Sequence, residues 1–348
     1  ARGMLLAAFA VFFSVRLWQR CVNNFAWDYA INWIAAQGMR SGLSLYNESG
    51  LRQLGLALIG PQASALFTGP FGSYIGLPST AFLLLPFTFG SFSASLLAYR
   101  VLSLAAFAAS VFVAGDALPA ADRRTAWLWG GLALLTIDPV VTSIQLGQLD
   151  GWIALALAVA LWAARRDRWY LVGIAAGLAA LLKISPGILI GYCVMRRKWK
   201  AAVAAAGFAV LMLGLATTVG LSSDLWVFSR KILPSLAIGT LHMQNQSLTA
   251  WLARIFLPDT DLLNYSAGLG VFRFVSAALT IILVVATWSV SRRQAMVSLE
   301  LGTMTLAALL IGPLTWDHYF AWAVVPLTQL ADSRLWSRQS SRQRSEIL

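Results

Sequence analysis

Two long stretches without a charged side chain constrain the fold of this chain more than any other feature. Residues 201–221 and 274–291 are both dominated by apolar residues. Each approaches the length of about 20 residues that an α-helix needs to cross the hydrocarbon core of a bilayer. The 348 residues of the chain are 59% hydrophobic and 11% charged, whereas soluble domains carry about 25% charged residues. The sequence therefore predicts an all-α, polytopic membrane protein.

The net charge of +12 is concentrated in the short gaps between apolar stretches and at the C-terminal end. The basic groups are Arg123-Arg124, Arg165-Arg166, Arg196-Arg197-Lys198, Arg292-Arg293 and the arginines of the final segment. Cytoplasmic loops of membrane proteins carry an excess of lysine and arginine, so this distribution predicts that the gaps lie on the cytoplasmic side. The placement of the charge also makes membrane lipids, rather than nucleic acid, the expected partner.

This orientation predicts about ten transmembrane helices, with both ends of the chain in the cytoplasm and the protein in the plasma (inner) membrane. A single membrane domain would cover residues 1–332, with outer loops at residues 23–92 and 222–268. Residues 333–348 would form a polar, basic cytoplasmic tail. The apolar residues 81–87 include a proline and are too few to span a bilayer, so we expect an interfacial or re-entrant helix there in the first outer loop.

A lone lysine, Lys183, separates two apolar stretches and is followed by Pro186. A cation at bilayer depth is costly, so it usually faces a protein or water-filled interior and marks a functional site. In the expected topology, Lys183 shares the outer side of the membrane with the other scattered polar residues. These are Asp28, Gln148, Asp150, His242, Asn245, Asp317 and His318. We therefore expect a site that faces the periplasmic or extracytoplasmic side.

Each of these polar residues allows a functional and a structural interpretation. Asp28 can act as a general base toward an acceptor hydroxyl, or it can cap a helix or remain solvated. Lys183 can neutralise a lipid-linked phosphate, or its ammonium can snorkel to the interface. His318 can donate to a phosphate or shuttle a proton, or it can be a hydrogen-bonded structural histidine. Gln148 and Asp150 can bind a sugar or satisfy helix ends.

Motifs that bind metals and nucleotides are missing from the sequence. It contains no HisGluXxxXxxHis, no Cys/His cluster and no glycine-rich loop of the Walker or Rossmann type. We therefore expect neither a metal ion nor a cofactor. A nucleotide-sugar donor would require a soluble cytoplasmic domain, and the sequence predicts none.

Several short motifs follow one another in a distinctive order. Asp28, early in the first outer loop, is followed by LeuGlyGlnLeuAsp at residues 146–150 and by AlaGlyLeuAlaAlaLeuLeuLysIleSerPro at 176–186. AsnGlnSerLeuThrAlaTrpLeuAlaArg at 245–254 and ThrTrpAspHisTyr at 315–319 complete the series. In this order and spacing, most of the chain resembles glycosyltransferase family 87, one of the C-type membrane glycosyltransferases. That group includes polyprenyl-phosphate-mannose-dependent mannosyltransferases and related arabinofuranosyltransferases.

The resemblance implies the C-type glycosyltransferase fold and a reaction at the outer face. A sugar, with mannose the first candidate, would move with inversion from a polyprenyl-phosphate carrier to a lipid or glycan acceptor. By the same resemblance, Asp28 would be the catalytic base, and Lys183 and His318 would bind the donor phosphate. The other polar residues implied as substrate-binding are Gln148, Asp150, Asn245, Gln246, Arg254, Asp317 and Tyr319. The family usually has an Asn-like residue where this chain has Leu149-Asp150, so the sugar and the acceptor stay open.

A multi-helix secondary transporter of a polar or anionic solute is the alternative. It too would have about ten helices, helices broken near prolines such as Pro186, and buried polar groups. Two features of the sequence favour the enzyme. The two halves of the chain show no internal repeat, and the polar residues gather on one face rather than at the midplane.

Overall fold

The computed structural model describes residues 2–67, 74–256, 269–294 and 297–336. Within these ranges the chain is helical and forms no β-strand, which confirms the all-α prediction. The α-helices are α1 (Arg2–Asn23), α2 (Trp27–Arg40), α3 (Glu48–Ile59), α4 (Gln62–Leu66), α5 (Pro78–Leu84), α6 (Phe92–Asp116), α7 (Ala120–Thr136), α8 (Asp138–Leu146), α9 (Asp150–Ala164), α10 (Trp169–Leu182), α11 (Ile188–Met195), α12 (Trp199–Thr218), α13 (Ser222–Val227), α14 (Leu233–Ile238), α15 (Leu248–Phe256), α16 (Leu269–Gln294), α17 (Val297–Ile311) and α18 (Val324–Gln329). Shorter 3-10 helices cover Leu85–Phe89, Ser185–Gly187 and Asp317–Ala323, and a π-helix covers Phe228–Ile232.

Two of these helices, α6 and α12, are long and apolar enough to cross a membrane. Helices α7 and α8 meet the same criterion together, but a bend of 61° separates them. Several others, including α9, α10 and α17, are apolar but shorter. In the described ranges there are thus two clear spans, or three if the bent pair is one span, and the expected number of about ten is not confirmed.

The bend between α7 and α8 arises at the dipeptide Asp138-Pro139. Proline has no N–H and its ring clashes with the carbonyl four residues earlier, so a helix rarely continues through it. The chain accordingly becomes extended at Ile137, and Pro139 occupies the first turn of a new helix. The sequence did not predict α8 as a separate helix. This additional helix carries the chain toward the polar motif at residues 146–150.

Small residues allow the central helices to pack closely. Gly173 of α10 faces the backbone of Ala201 in α12, and Gly151 of α9 faces the backbone carbonyl of Ser103 in α6. A side chain at either glycine would collide with the neighbouring backbone. Helix α9 adds a row of buried alanines to this core. Close backbone approach through small residues is the usual way in which membrane helices associate.

Three of the basic segments of the sequence meet at one end of the molecule. Asp116 at the end of α6 pairs with Arg166 at 2.8 Å and with Arg123 at 3.1 Å. Asp332, which is fully buried, lies 3.5 Å from Arg165. These pairs join the segments around Arg123, Arg165 and Asp332, which together form a basic end.

The polar residues that the sequence singled out lie at the opposite end. Helix α9 begins at Asp150 and ends beside Arg165, and α10 returns from Trp169 to Lys183. With 15 residues and a rise of about 1.5 Å per residue, α9 separates the two ends by about 22 Å. The helical core therefore has a basic end and a polar end.

Large apolar side chains are exposed along the sides of the molecule. Val203 and Val210 of α12 are 70% and 71% exposed, and Phe274 of α16 is 76% exposed. Trp18 of α1 is similarly exposed, at 71%. Contiguous apolar surface of this kind is typical of a face that contacts membrane lipid or another protein. Together with the long apolar helices, it agrees with a membrane protein.

The first predicted outer loop is itself helical. Residues 81–87, expected to form an interfacial or re-entrant helix, are divided between α5 and the 3-10 helix that follows it. Helix α5 packs against the helical core through buried residues that include Thr80, whose hydroxyl donates to the carbonyl of Leu181 at 3.3 Å. Residues 68–73 of this loop lie outside the described ranges.

The second predicted outer loop is tied to the first. The buried carboxylate of Asp224 in α13 accepts hydrogen bonds from the hydroxyl of Ser44 at 2.5 Å and the backbone N–H of Leu45 at 3.2 Å. Residues 257–268 of the second loop and residues 337–348 of the predicted tail lie outside the described ranges. The start of that tail, at Ser333, donates two hydrogen bonds to Asp122 and continues as one helical turn.

Candidate active site

The polar end is organised by a sharp turn between α8 and α9. Gly147 ends α8 with φ of +69°, a left-handed conformation that side chains other than glycine adopt with strain. A Cβ atom at this position would lie 2.5 Å from the Cβ of Tyr29 in α2. Glycine is therefore required both for the turn and for the close approach of α2. The turn places Gln148 and Asp150 at the polar end, close to the start of α2.

Asp150 and Lys183 form a buried ion pair at this end. Asp150 is fully buried, and its Oδ1 accepts hydrogen bonds from Lys183 Nζ at 2.7 Å and from Trp322 Nε1 at 2.9 Å. Removing one partner of a buried ion pair leaves an uncompensated charge, which is strongly destabilising. The sequence left Asp150 open between binding a sugar and satisfying a helix end, and did not pair it with Lys183. In the structure, Asp150 holds the lysine in place.

Aromatic rings complete the environment of Lys183. The lysine follows the last residue of α10 in an extended conformation, and Pro186 lies within the next short helix. Its Nζ lies 3.5 Å from the ring centroid of Tyr319, which stacks on Trp322 at 5.2 Å. A cation above an aromatic face is attracted by the ring quadrupole. The sequence analysis identified Tyr319 but missed Trp322. The signal that could have revealed Trp322 is its position three residues after Tyr319 on one helical segment.

His318 faces the same carboxylate with an unused nitrogen. Its Nε2 lies 4.0 Å from Oδ2 of Asp150, and neither atom has a hydrogen-bond partner in the described ranges. Both residues are buried, so a pair of unsatisfied polar atoms faces a common gap. Buried polar groups normally have partners, and such a pair therefore points to a bound water or ligand group between them.

Asp317 fixes the other side of the histidine. Its Oδ1 lies 3.4 Å from Nδ1 of His318 and accepts the backbone N–H of the same residue at 2.7 Å. The hydrogen bond from His318 lowers the pKa of Asp317 below its usual value. Asp317 is partly exposed, so it orients His318 from the outer rim of the site.

Asp28 borders this cluster and keeps its carboxylate free. It lies in the first turn of α2, is half-buried, and its side chain forms no hydrogen bond or ion pair within the part of the chain that is described. Its negative charge acts on both Lys183 and Tyr319. Asp150, by contrast, is already engaged. Of these two carboxylates, Asp28 is the one that is available to a substrate hydroxyl.

Gln148 lies in the turn between α8 and α9. The residue is buried, and its backbone carbonyl accepts a hydrogen bond from Tyr99 at 3.1 Å. Tyr99 packs against Tyr29 with 4.9 Å between ring centroids. The tyrosine pair therefore fixes the backbone of Gln148, and its amide side chain is free of hydrogen bonds in the described structure.

Asn245 was expected in the substrate pocket, but the protein backbone uses its whole amide. Its Nδ2 donates to the carbonyls of Thr240 at 2.7 Å and Pro313 at 3.0 Å. Its Oδ1 accepts the N–H groups of Ser247 at 3.1 Å and Thr315 at 2.9 Å. Asn245 thus connects the second outer loop to the segment that leads into His318.

Arg254 and Gln246 belong to the same loop structure. Arg254 donates to the carbonyls of His242 at 3.1 Å and Asn245 at 2.8 Å. Gln246 is exposed; its side chain donates to the carbonyl of Met243, and its backbone N–H to that of Thr315. These contacts brace the loop. They affect the cluster by fixing the backbone near His318. The side chains of Arg254 and Gln246 form these contacts with the loop rather than with Lys183 or Asp150.

The cluster has no grouping suited to a metal ion. Among the described residues, no three side chains of His, Cys, Asp or Glu come together in the way that metal coordination requires. What the polar end offers is a carboxylate, a paired ammonium, an imidazole and aromatic faces. This set can accept a proton, stabilise an anion and stack against a sugar ring.

The chain belongs to glycosyltransferase family 87. The sequence model of that family matches residues 74–335. Its relatives include the polyprenol-phosphate-mannose-dependent alpha-(1-2)-phosphatidylinositol pentamannoside mannosyltransferase of Mycobacterium tuberculosis strain CDC 1551, at 25% identity over 80% of this chain and 66% of the relative. The protein of that name from Mycolicibacterium smegmatis is 28% identical over 59% of this chain and 48% of the relative. A polyprenol-phosphate-mannose-dependent alpha-(1-2)-phosphatidylinositol mannoside mannosyltransferase of Mycobacterium tuberculosis strain H37Rv is 26% identical over 79% and 66%. No solved structure matches the chain.

The matched segment covers most of the cluster. Gln148, Lys183 and His318 lie within residues 74–335, and Asp28 precedes them. The chain spans between about half and two thirds of the length of these curated relatives. The family membership predicted from the order of the motifs is confirmed.

Proposed function

We propose that the protein transfers a mannosyl group from a polyprenyl-phosphate carrier to a lipid or glycan acceptor at the outer face of the plasma (inner) membrane, with inversion at the anomeric carbon. Membership of glycosyltransferase family 87 and the printed activities of the relatives support the reaction class. The separation of a basic end from a polar end supports the orientation, because the basic end would face the cytoplasm.

Asp28 would act as the general base. Its carboxylate would take the proton of an acceptor hydroxyl while the hydroxyl oxygen attacks the anomeric carbon of the donor sugar. The bond between that carbon and the phosphate oxygen breaks in the same displacement, and the electron pair leaves with polyprenyl phosphate. A single displacement of this kind inverts the anomeric centre. One base is enough, because phosphate is a good leaving group without a general acid.

Lys183 and His318 would stabilise the charge that develops on the leaving phosphate. An ammonium has three N–H donors, and Asp150 occupies one of those of Lys183. The carboxylate and the ring of Tyr319 hold the ammonium in place before substrate binds. Donors fixed in advance toward a developing anion, in a site shielded from water, are among the most effective catalytic devices. His318 would add its unused Nε2 to the same anion.

The observation that carries this proposal is the position of one uncommitted carboxylate beside a buried cation. The carboxylate of Asp28 forms no hydrogen bond or ion pair in the described ranges, and its negative charge acts on Lys183. A proton acceptor and an anion-binding group at the same polar end would serve the two sides of the transfer, and the exposed apolar side chains of the helices would face the bilayer that holds the polyprenyl tail. Membership of glycosyltransferase family 87 favours glycosyl transfer over solute transport.

The test is transfer by the purified full chain in proteoliposomes. Polyprenyl-phosphate mannose carrying a radiolabel in the sugar is supplied together with a membrane lipid extract as acceptor, and a parallel sample receives the arabinofuranosyl donor. We expect label to move from the mannose donor to a new glycolipid as polyprenyl phosphate is released. Absence of transfer from either donor, together with uptake of a polar solute into the vesicles, would favour the transporter. Transfer from the arabinofuranosyl donor alone would contradict mannose as the sugar.

A further inference from the structure

One arginine inside the long apolar helix α6 has no carboxylate partner. Arg100 lies eight residues after the start of α6, about 12 Å along the helix from the polar end. It is partly buried, and no Asp or Glu of the described ranges forms an ion pair with it. An ionisable side chain at such a depth is costly and usually has a function. The proposed base and phosphate-binding groups do not include Arg100, so its presence requires an explanation.

The guanidinium group of Arg100 reaches the C-terminal ends of two other helices. Its Nη2 donates to the carbonyl of Gln145 in the last turn of α8 at 2.7 Å, and its Nη1 lies 3.5 Å from the carbonyl of Cys21 in the last turn of α1. Its Nε is buried and has no partner in the part of the chain that is described. The C-terminal end of a helix carries about half a negative elementary charge, so two such ends together balance about one guanidinium group.

The backbone leaves these two carbonyls without a donor. The last four carbonyls of a helix have no partner within that helix. The first two N–H groups after α8 donate to the carbonyls of Ser143 and Ile144, and the first N–H group after α1 donates to that of Arg20. In both helices the next carbonyl along the chain is the one that Arg100 reaches. Arg100 therefore supplies a donor that the backbone does not provide.

Each of these helix ends is followed directly by a proposed site residue. Residues 24–26 connect α1 to α2, whose first turn contains Asp28. Residues 147–149 connect α8 to α9, which begins at Asp150. Three residues span at most about 11 Å, so the position of each helix end limits the position of the carboxylate that follows it.

The residue before Arg100 contacts the same two connections. Tyr99 donates to the carbonyl of Gln148 at 3.1 Å, and its ring packs against Tyr29, the neighbour of Asp28. Helix α6 is itself packed closely against α9, where Gly151 faces the backbone of Ser103. Two consecutive residues of one well-packed helix thus support the segments on both sides of the site.

We propose that Arg100 is a positioning residue. Its guanidinium group would join the ends of α1 and α8 to α6, and would thereby fix Asp28 and Asp150 relative to each other. The consequence for catalysis rests on the proposed function, whereas the joining of the two helix ends does not. In this role Arg100 contacts neither the donor nor the acceptor.

Hydrogen exchange of the purified full chain in detergent, followed by mass spectrometry, measures the joining of the helix ends. Arg100→Met fills a similar volume but has neither the charge nor the N–H donors. Loss of hydrogen bonds to a charged group should release both ends, so we expect peptides that cover residues 20–28 and 143–150 to exchange at least about tenfold faster. Exchange in the rest of the chain should change little.

Gln329→Leu is the matched control. Gln329 of α18 donates to the carbonyl of Ala114 in the last turn of α6 at 2.7 Å, near Asp116 at the basic end. The contact is of the same kind, a buried side-chain donor on a helix-end carbonyl, but it lies far from the site. This variant should lower Tm, and it should leave both kcat and the exchange of residues 20–28 and 143–150 at the wild-type level.

Turnover separates positioning from general destabilisation and from substrate contact. Misplacement of a reacting group by about 1 Å can cost about 100-fold in rate. We expect Arg100→Met to lower kcat per donor-binding site by about 10- to 100-fold while the donor Kd stays within about threefold of wild type. Arg100→Lys keeps a cation at the two helix ends and should recover part of kcat. Weaker donor binding at unchanged kcat would contradict the proposal, because Arg100 would then contact the substrate.

Unchanged exchange of both peptides in Arg100→Met would overturn the proposal, as would wild-type kcat in a variant whose helix ends are released. If Arg100→Met does not fold, the same two measurements are made on Arg100→Gln, whose shorter side chain can reach only one of the carbonyls. If the wild-type chain shows no transfer, the proposed reaction fails. The exchange result then decides by itself whether Arg100 joins the two helix ends.

Discussion

The pairing of Lys183 with Asp150 decides what each of these two residues can do. A lysine that donates to a fully buried carboxylate at 2.7 Å cannot extend to the membrane surface, so the snorkelling interpretation of Lys183 is excluded by the geometry. Asp150 is a poorer candidate base than Asp28, because it is fully buried and one of its two oxygens is held by Lys183 and Trp322. The catalytic roles that we propose for the polar end therefore fall to a fixed cation, Lys183, and to the unbonded carboxylate of Asp28.

Substitution of Lys183 should affect folding and donor binding separately. Lys183→Ala leaves Asp150 buried and unpaired, and we expect a loss of about 3–5 kcal/mol of stability. The double substitution Lys183→Ala/Asp150→Asn removes both charges and should recover much of the thermal stability, measured as Tm in detergent. Donor affinity should remain about 10- to 150-fold below wild type in the double variant, because the phosphate still lacks its charged donor.

Lys183→Arg provides the conservative control, since it keeps the charge and should retain part of the donor affinity. Wild-type donor binding by the stable double variant would show that the lysine does not contact the phosphate. Its role would then be limited to the ion pair, and the donor site would have to be sought elsewhere at the polar end.

Among the helices, α8 has the largest effect on the site, although it is only nine residues long. It redirects the chain by 61° after α7 and ends at the left-handed Gly147, where α2 packs closest. The turn after α8 positions Asp150, and the contact with Tyr29 positions Asp28 one residue earlier in α2. One short helix thus helps to position both the proposed base, Asp28, and the partner of the cation, Asp150.

Gly147→Ala should therefore impair catalysis more than donor binding. The left-handed backbone costs about 1–2 kcal/mol for a residue with a Cβ atom, and the new methyl group would push Tyr29 and α2 outward. We expect kcat to fall by at least about tenfold, whereas donor affinity, which depends on Lys183, should change little. Steady-state kinetics with separate donor-binding measurements will check this.

Gly207→Ala is the matched control for that substitution. Gly207 lies in α12 with no atom near the position of an added Cβ, so alanine there should be neutral or slightly stabilising. An equal loss of kcat in both variants, or none in Gly147→Ala, would contradict the role given to the turn.

Some elements of the chain could be predicted from the sequence, and others could not. The elbow between α10 and α11 was predicted, because Lys183 and Pro186 interrupt an otherwise continuous apolar run. Helix α8 was not predicted, because its residues continue the apolar pattern of α7 and only Pro139 marks the break. Asn245 was assigned to the substrate pocket from its motif alone. Its four backbone hydrogen bonds depend on a segment about 70 residues away, which no local pattern reveals.

For the molecule as a whole, the sequence predicted the helical class, the family and the gathering of polar residues at one end. These follow from apolar stretches, charge placement and motif order, which are properties of the chain itself. The ion pair of Asp150 with Lys183 and the hydrogen bond from Trp322 to Asp150 could not be predicted. These contacts join residues on different helices and form only when the helices pack. The number of spans could not be predicted either, because it depends on helix lengths and bends that the apolar pattern does not determine.

Orientation is the whole-molecule property that can be tested directly. We expect residues near the polar end to face the outside and the basic end to face the cytoplasm. In a background lacking Cys21 and Cys193, single cysteines are placed at two exposed positions, Ser49→Cys and Arg124→Cys. A membrane-impermeant maleimide should label the first in intact cells and the second only after permeabilisation. The reverse pattern, or equal labelling of both, would contradict the orientation.

The central claim is that Asp28 is the base of a glycosyl transfer, and turnover by Asp28→Asn tests it most directly. Asparagine keeps the size of aspartate and most of its hydrogen bonding but cannot take a proton. We expect a folded variant that binds donor normally and turns over about 10²- to 10⁴-fold more slowly. Glu48→Gln, an exposed carboxylate in the same outer loop, should keep wild-type turnover. Wild-type turnover by Asp28→Asn would contradict the claim and make Asp317 the next candidate for the base.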